Sequence, residues 1–216
     1  ALKDKPGKKV IFVIWAGATP PFGALAAQDL KKRFGIDVAT GGNILPAMVS
    51  YKQFPGMEGA LYYYFGIPKN PVNEWLVANH YKQFKAPPDF FTAGGMSAAI
   101  AIVDALKKTG GDTNTDKLIK TMEGMSFETP KGKMTFRKDD HQAMQSMYHF
   151  RIKADPAFAW GVPELVREID PEDINVPIRR TRRDDPGAEP RRRGSPPPRR
   201  CPTAPQRRAA RAPPGP

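Results

Sequence analysis

Lys8-Lys9-Val10-Ile11-Phe12-Val13-Ile14-Trp15-Ala16-Gly17 decides how the rest of the chain reads. Seven apolar residues, Val10 to Ala16, follow two lysines without interruption and are rich in β-branched side chains. A run of that kind predicts a strand buried on both faces, hence part of a parallel sheet. Gly17 and Pro20-Pro21 end it. Phe22, Leu25, Ala26 and Leu30 then recur at helical spacing, with Gln28, Asp29, Lys31, Lys32 and Arg33 largely off that face. Gly35 is placed to close the helix, and Ile36–Thr40 to form the next strand, stopped by Gly41-Gly42. The unit is β-α-β, and the expected fold class is α/β: an open, mostly parallel sheet flanked by helices.

Further along, Gly59 to Gly66 is expected to be a third strand, rich in aromatics. Asn70-Pro71 caps and starts a helix through Trp75, Leu76, Tyr81 and Phe84. Thr92 to Lys108 is small or apolar almost throughout and predicts a helix buried on most sides, ended by Gly110-Gly111. A short amphipathic helix with Leu118, Ile119 and Met122 ends near Gly124. Lys133 to Arg137 and Met144 to Lys153 are expected to pair antiparallel. In the second run Tyr148, Phe150 and Ile152 alternate with polar residues, and Met147 falls on the polar side.

Charge divides the chain. The 216 residues carry a formal +12, which at first suggests an anionic partner. From Arg179 onward there are 12 Arg, no Lys and 3 acids, so that stretch holds +9 and residues 1–178 only +3. A nearly balanced body is not a nucleic-acid binder by charge, and no nucleic-acid partner is expected. Two parts follow: a folded body at 1–178 and an Arg/Pro-rich, disordered C-terminal tail at 179–216. Residues 181–216 contain no Leu, Ile, Val, Met, Phe, Tyr or Trp, so no burial offsets the entropy of ordering them. With biased composition and no repeated motif, the tail reads as a non-functional extension or a GC-rich frame out of register. A basic arm or a Pro-rich ligand is the alternative. The single cysteine, Cys201, lies there, so the body has no disulfide, no Cys-based zinc site and no cysteine nucleophile. No run of 18 apolar residues occurs, and no membrane span is expected. The opening Ala1-Leu2-Lys3-Asp4 begins as though cut from something longer.

Motifs for chemistry are sparse. His80, His141 and His149 have no local partner pattern and are expected in structural or surface roles. Asp112-x-Asn114-x-Asp116 with Glu123 superficially matches a calcium loop, but Lys117 occupies the place that needs glycine. No phosphate-binding glycine loop, nucleophile elbow or carboxylate pair is present, so the expectation is no catalytic residue, no metal and no cofactor. Strand ends are more informative, because ligands in open α/β sheets sit outside the carboxyl ends of the strands. Those ends are Trp15-Ala16-Gly17-Ala18 and Thr40-Gly41-Gly42-Asn43, with Trp15 readable as a pocket wall or as core.

At this point the body resembles the second half of a leucine/isoleucine/valine-type (type 1) periplasmic substrate-binding protein of an ABC transporter, from about Val10 to Val176. The resemblance rests on Val13-Ile14-Trp15-Ala16-Gly17 before a helix, Gly56-Met57-Glu58-Gly59 leading into Tyr62–Tyr64, and Asp89-Phe90-Phe91-Thr92-Ala93 opening an apolar helix. It rests also on Gly132-Lys133-Met134-Thr135-Phe136-Arg137 and Asp140-His141-Gln142.

The resemblance implies two α/β lobes closing at a hinge on a small polar or amino-acid-like ligand, a branched-chain amino acid or a related small organic or aromatic acid, with the first lobe and the opening of the second lying outside this chain. It implies a non-catalytic role, an exported (periplasmic or extracellular) location compatible with membrane association, and an ABC permease as partner. Trp15, Ala16, Gly17, Gly41, Gly42 and Asn43 would form the second lobe's pocket edge, with Phe90 and Phe91 further candidates. Branched-chain members carry an acid after the second of these strands; Thr40-Gly41-Gly42-Asn43 has none, which favours an aromatic or other organic acid. A ligand-sensing domain of a receptor or regulator, and an interaction protein acting through its basic tail, are the alternatives.

Overall fold

The computed structural model describes residues 4–15, 20–41, 44–174 and 177–178. The tail expected to be disordered lies outside the described residues. In chain order the elements are β1 (Lys9–Val13), α1 (Phe22–Ala27), α2 (Leu30–Phe34), β2 (Ile36–Thr40), α3 (Leu45–Tyr51), β3 (Glu58–Leu61), α4 (Pro71–Phe84) and α5 (Phe90–Lys108). There follow α6 (Thr115–Met122), β4 (Ser126–Thr129), β5 (Gly132–Phe136), β6 (Ala143–Met144), β7 (Met147–Lys153) and β8 (Val162–Ile169).

A five-stranded sheet has the order β1-β2-β3-β7-β8, and a three-stranded one the order β4-β5-β6. In the larger sheet β1, β2 and β3 are parallel, while β7 is antiparallel to both β3 and β8. Four of its five strands therefore point the same way, as the mostly parallel α/β reading expects. Phe22 of α1 and Met48 and Tyr51 of α3 pack with Val38, Leu61, Tyr148, Phe150 and Ile152 of the sheet, forming the main core. Ala101 and Ala105 of α5 pack with Phe127 and Met134 of the small sheet, and Tyr63, Leu76 and Ala93 form a third cluster.

Several expectations are corrected. The opening strand stops at Val13 and is a sheet edge, and Val10 (41%) and Phe12 (54%), which share one face of it, are exposed, because the core packs against the other face, where Val13 lies. The helix after Pro21 is two helices, broken where Asp29 takes a left-handed φ of 45°. Gly35 closes the second at φ 62°, in the left-handed region a glycine favours. The third strand ends at Leu61; Tyr63 and Tyr64 are buried beyond it, held by side-chain partners instead of a ladder. Tyr63 donates to Asn73 Oδ1 at 2.7 Å, and Trp160 Nε1 donates to the Tyr64 hydroxyl at 3.2 Å.

The helix at α5 buries one stripe, Ala93, Ser97, Ala101 and Ala105, at a spacing of four, not most of its sides. Ile102 and Val103 are exposed, because only the small-residue face packs against β4. By length and composition alone this helix could cross a membrane. The proposed pairing of Lys133–Arg137 with Met144–Lys153 holds for one pair only, Thr135 facing Met144; Phe136 faces Ala143, one residue before the second run. The run then divides at Gln145-Ser146, and β7 crosses to the large sheet, where Tyr148, Phe150 and Ile152 fill the core as their alternation predicts. No element expected from the sequence corresponds to α3, β4 or β8.

Candidate functional site

Parallel pairing brings the carboxyl ends of β1, β2 and β3 to one edge. Val13 is level with Thr40, and Thr40 with Gly59. Thr40 fastens this edge: its hydroxyl donates to the Val13 carbonyl at 3.0 Å and lies 3.3 Å from the Tyr51 hydroxyl, whose pKa burial raises. Just past these ends stand Trp15 and Gly41, both exposed. A Cβ on Gly41 would lie 3.4 Å from the Phe12 ring, so that ring flanks the Gly41 backbone.

Trp15, at 51% exposure, is not core in this structure. Ala16, Gly17, Gly42 and Asn43 lie outside the described residues. Phe90 is half-buried at the start of α5, edge-on to Tyr62 with ring centres 6.2 Å apart. Tyr62 directly follows β3, so Phe90 is brought to the carboxyl end of that strand. Phe91 is 67% exposed and lies against Phe90, with centres 4.1 Å apart. Asp89 sets this pair in place by capping α5, its carboxylate accepting from the Phe91 and Thr92 N–H groups at 3.0 and 3.2 Å.

Two further residues stand at this edge. Tyr62 belongs to the run expected as strand, and its pKa is raised by burial, with a hydrogen bond between its hydroxyl and the Ser97 side chain opposing. Lys131 occupies the β4–β5 turn, and its ammonium lies 4.1 Å from the Tyr62 ring centre. Burial pushes its pKa down to about 7, against the opposing charge of Glu168. Pro130 and Gly132 on either side of Lys131 hint at a turn in the sequence, and nothing local signals its burial.

The residues with weaker motifs have other work. Asp112 accepts from the Asn114 N–H at 2.9 Å and pairs with Lys117 at 3.0 Å, while Asn114 caps α6 by accepting from the Lys117 N–H. The calcium-like pattern is thus a helix start. His80 Nδ1 lies 2.8 Å from the Ala86 carbonyl, His141 Nε2 3.2 Å from Glu123, and His149 Nε2 3.2 Å from Glu58. A groove of about 690 Å³ lies at the opposite, amino-terminal ends of the strands, between Lys8, Ile36, Met57 and Glu58. It contains none of the expected residues, and its position is the wrong edge for a ligand of an open α/β sheet.

Residues 3–157 match the family model for periplasmic binding proteins. A solved structure described as an ABC-type branched-chain amino acid transporter from Rhodopseudomonas palustris CGA009 is 63% identical, with a TM-score of 0.75. The match covers 83% of this chain and 48% of that one. A solute-binding protein from R. palustris BisB5, in complex with 3,4-dihydroxybenzoic acid, is 24% identical with a TM-score of 0.60, covering 75% of this chain and 45% of that one. A leucine-binding protein from Thermotoga maritima is 17% identical with a TM-score of 0.60, covering 76% and 45%. Among curated proteins none matches. The chain thus spans about half the length of these solved relatives. With more than half of its residues in the family model and the sheet and helices arranged as in these structures, the chain belongs to the periplasmic binding protein family.

Proposed function

We propose that this chain supplies one wall of the ligand site in a solute-binding component of an ABC importer, exported to the periplasm or the cell exterior. The wall is the carboxyl edge of β1, β2 and β3, with Trp15, Gly41 and Phe91 in the ligand's path and Ala16, Gly17, Gly42, Asn43 and Phe90 completing it. One observation carries the reading: an aromatic and a bare backbone stand exposed together where an open α/β sheet receives its ligands. The 63% identical relative, described as an ABC-type branched-chain amino acid transporter, supports the solute-binding role.

The ligand class is an aromatic or other organic acid. Thr40-Gly41-Gly42-Asn43 offers no carboxylate for an ammonium, whereas the rings offer apolar contact. The R. palustris BisB5 protein bound to 3,4-dihydroxybenzoic acid shows that this fold accepts such a ligand. Ligand shifts a closing equilibrium that a membrane permease reads, and no bond is made or broken.

Chemical-shift mapping on the ¹⁵N-labelled chain tests this with benzoate, 4-hydroxybenzoate, 3,4-dihydroxybenzoate and leucine at millimolar concentration. One wall covers only part of a small ligand, so weak binding is expected. The aromatic acids should move the Trp15 indole and the Gly41 and Phe91 amides. Shifts confined to Met57 and Glu58 would place the site in the groove at the other edge.

A further inference from the structure

The chain passes between its two sheets by two connections. Residues 62–70 lead from β3 to α4, and Gln145 and Ser146 lead from β6 back to β7. Lys131 touches both. Its ammonium lies 4.1 Å from the Tyr62 ring centre and 5.4 Å from that of Tyr148, and it donates to Gln145 Oε1 at 3.3 Å and to the Ser146 carbonyl. The same turn is held to the first connection from the other side, where Asn70 Nδ2 donates to the Pro130 carbonyl at 3.0 Å.

Lys131 is 8% exposed, and among the described residues no carboxylate pairs with it. The charged group that acts on it is Glu168 of β8, which favours its charge, and the titratable residues that face it are Tyr62 and Tyr148, through their rings, with hydroxyl pKa values that burial raises. Asn70, Gln145 and Ser146 are uncharged. A cation buried without a carboxylate is less stable there than in water, and two ring faces and two acceptors offset only part of that cost.

We propose that Lys131 is a built-in weak point of the two connections, a buried cation that biases them toward opening at neutral pH so that the sheets can shift against each other without unfolding. The pH dependence follows from its surroundings. In water the amine holds its proton up to its ordinary value of 10.5; in the closed arrangement it releases it at about 7. Between these values opening takes up a proton, so from about one unit above 7 it becomes about tenfold rarer for each further pH unit. Below 7 the amine is charged in both arrangements and pH has no leverage.

Hydrogen exchange on the whole chain tests this, normalised for intrinsic rates, at Ile67 in the first connection and Tyr148 beside the second, between pH 7 and 9. In the wild-type chain protection should rise about fivefold from pH 7 to pH 8 and about tenfold from pH 8 to pH 9. Lys131→Met carries no proton: its protection should not vary with pH and should exceed that of the wild type at pH 7 by about tenfold or more. Equal or lower protection in Lys131→Met, a Lys131→Met chain that does not fold, or pH-independent protection in the wild type would each overturn the proposal. Direct titration of the Lys131 amine by NMR gives an independent check, where a midpoint near 7 supports the proposal and one near 10 overturns it. No ligand enters these measurements, so their outcome is separate from the binding site proposed above.

Discussion

Gly59 stands where β2 and β3 approach so closely that a Cβ would lie 1.9 Å from the Thr40 carbonyl oxygen and 3.1 Å from the Phe150 ring. Backbone oxygen cannot swing aside as a side chain can, so Gly59→Ala should cost about 3 kcal/mol or prevent folding. Urea unfolding of the variant against the wild type reads this directly. Asn73 is buried and ties the first connection down: it accepts from the Tyr63 hydroxyl at 2.7 Å and donates to the Phe65 and Pro68 carbonyls at 3.0 and 2.9 Å. Alanine there removes all three bonds inside a dry site, and a loss of roughly 3 kcal/mol is expected in the same measurement. Leu76, also buried, should tolerate Met with less than about 1.5 kcal/mol lost, since that exchange nearly conserves volume.

Helix starts were the most legible elements, because their signals are local. Asn70 accepts from the Asn73 N–H at 2.9 Å and Pro71 opens α4, as the Asn-Pro pair predicts. Ile36–Thr40 is a strand with the expected bounds, since Gly35 and Gly41 fence a β-branched run. Strand partners were less legible. Nothing in Met144 to Lys153 tells that it divides at Gln145-Ser146 and sends Tyr148 to face Leu61, a pairing 87 residues apart in number. The Tyr62–Tyr64 run has strong β character, yet its hydroxyls and rings find partners on α4, α5 and the segment around Trp160. Of the candidate site, Trp15 and Gly41 could be read from strand ends, and Phe90 and Phe91 from the resemblance. Lys131 could not, because its burial depends on three distant segments. At this scale the Asp89 cap is the informative target. Asp89→Ala should cost about 1 kcal/mol, seen as a lower Tm, and should loosen Phe90 and Phe91 at the start of α5.

For the whole molecule, composition assigns stability to residues 1–178, since residues 181–216 have no large apolar side chain. Removing 181–216 should therefore leave Tm unchanged within a few degrees, whereas a larger fall, worth about 1 kcal/mol, would give the tail a docking role. Because the chain spans 48% of its 63% identical relative, the strongest test of the binding account supplies the rest. The part of the R. palustris CGA009 protein that this chain does not cover would be fused to it, and the product titrated calorimetrically with leucine, isoleucine, valine, benzoate and 4-hydroxybenzoate. The account predicts that an aromatic acid binds more tightly than any of the three amino acids, and that Trp15→Ala weakens it about tenfold, or about 1.4 kcal/mol. Tightest binding of a branched-chain amino acid, with an affinity that Trp15→Ala leaves unchanged, would contradict both the ligand class and the placement of the site.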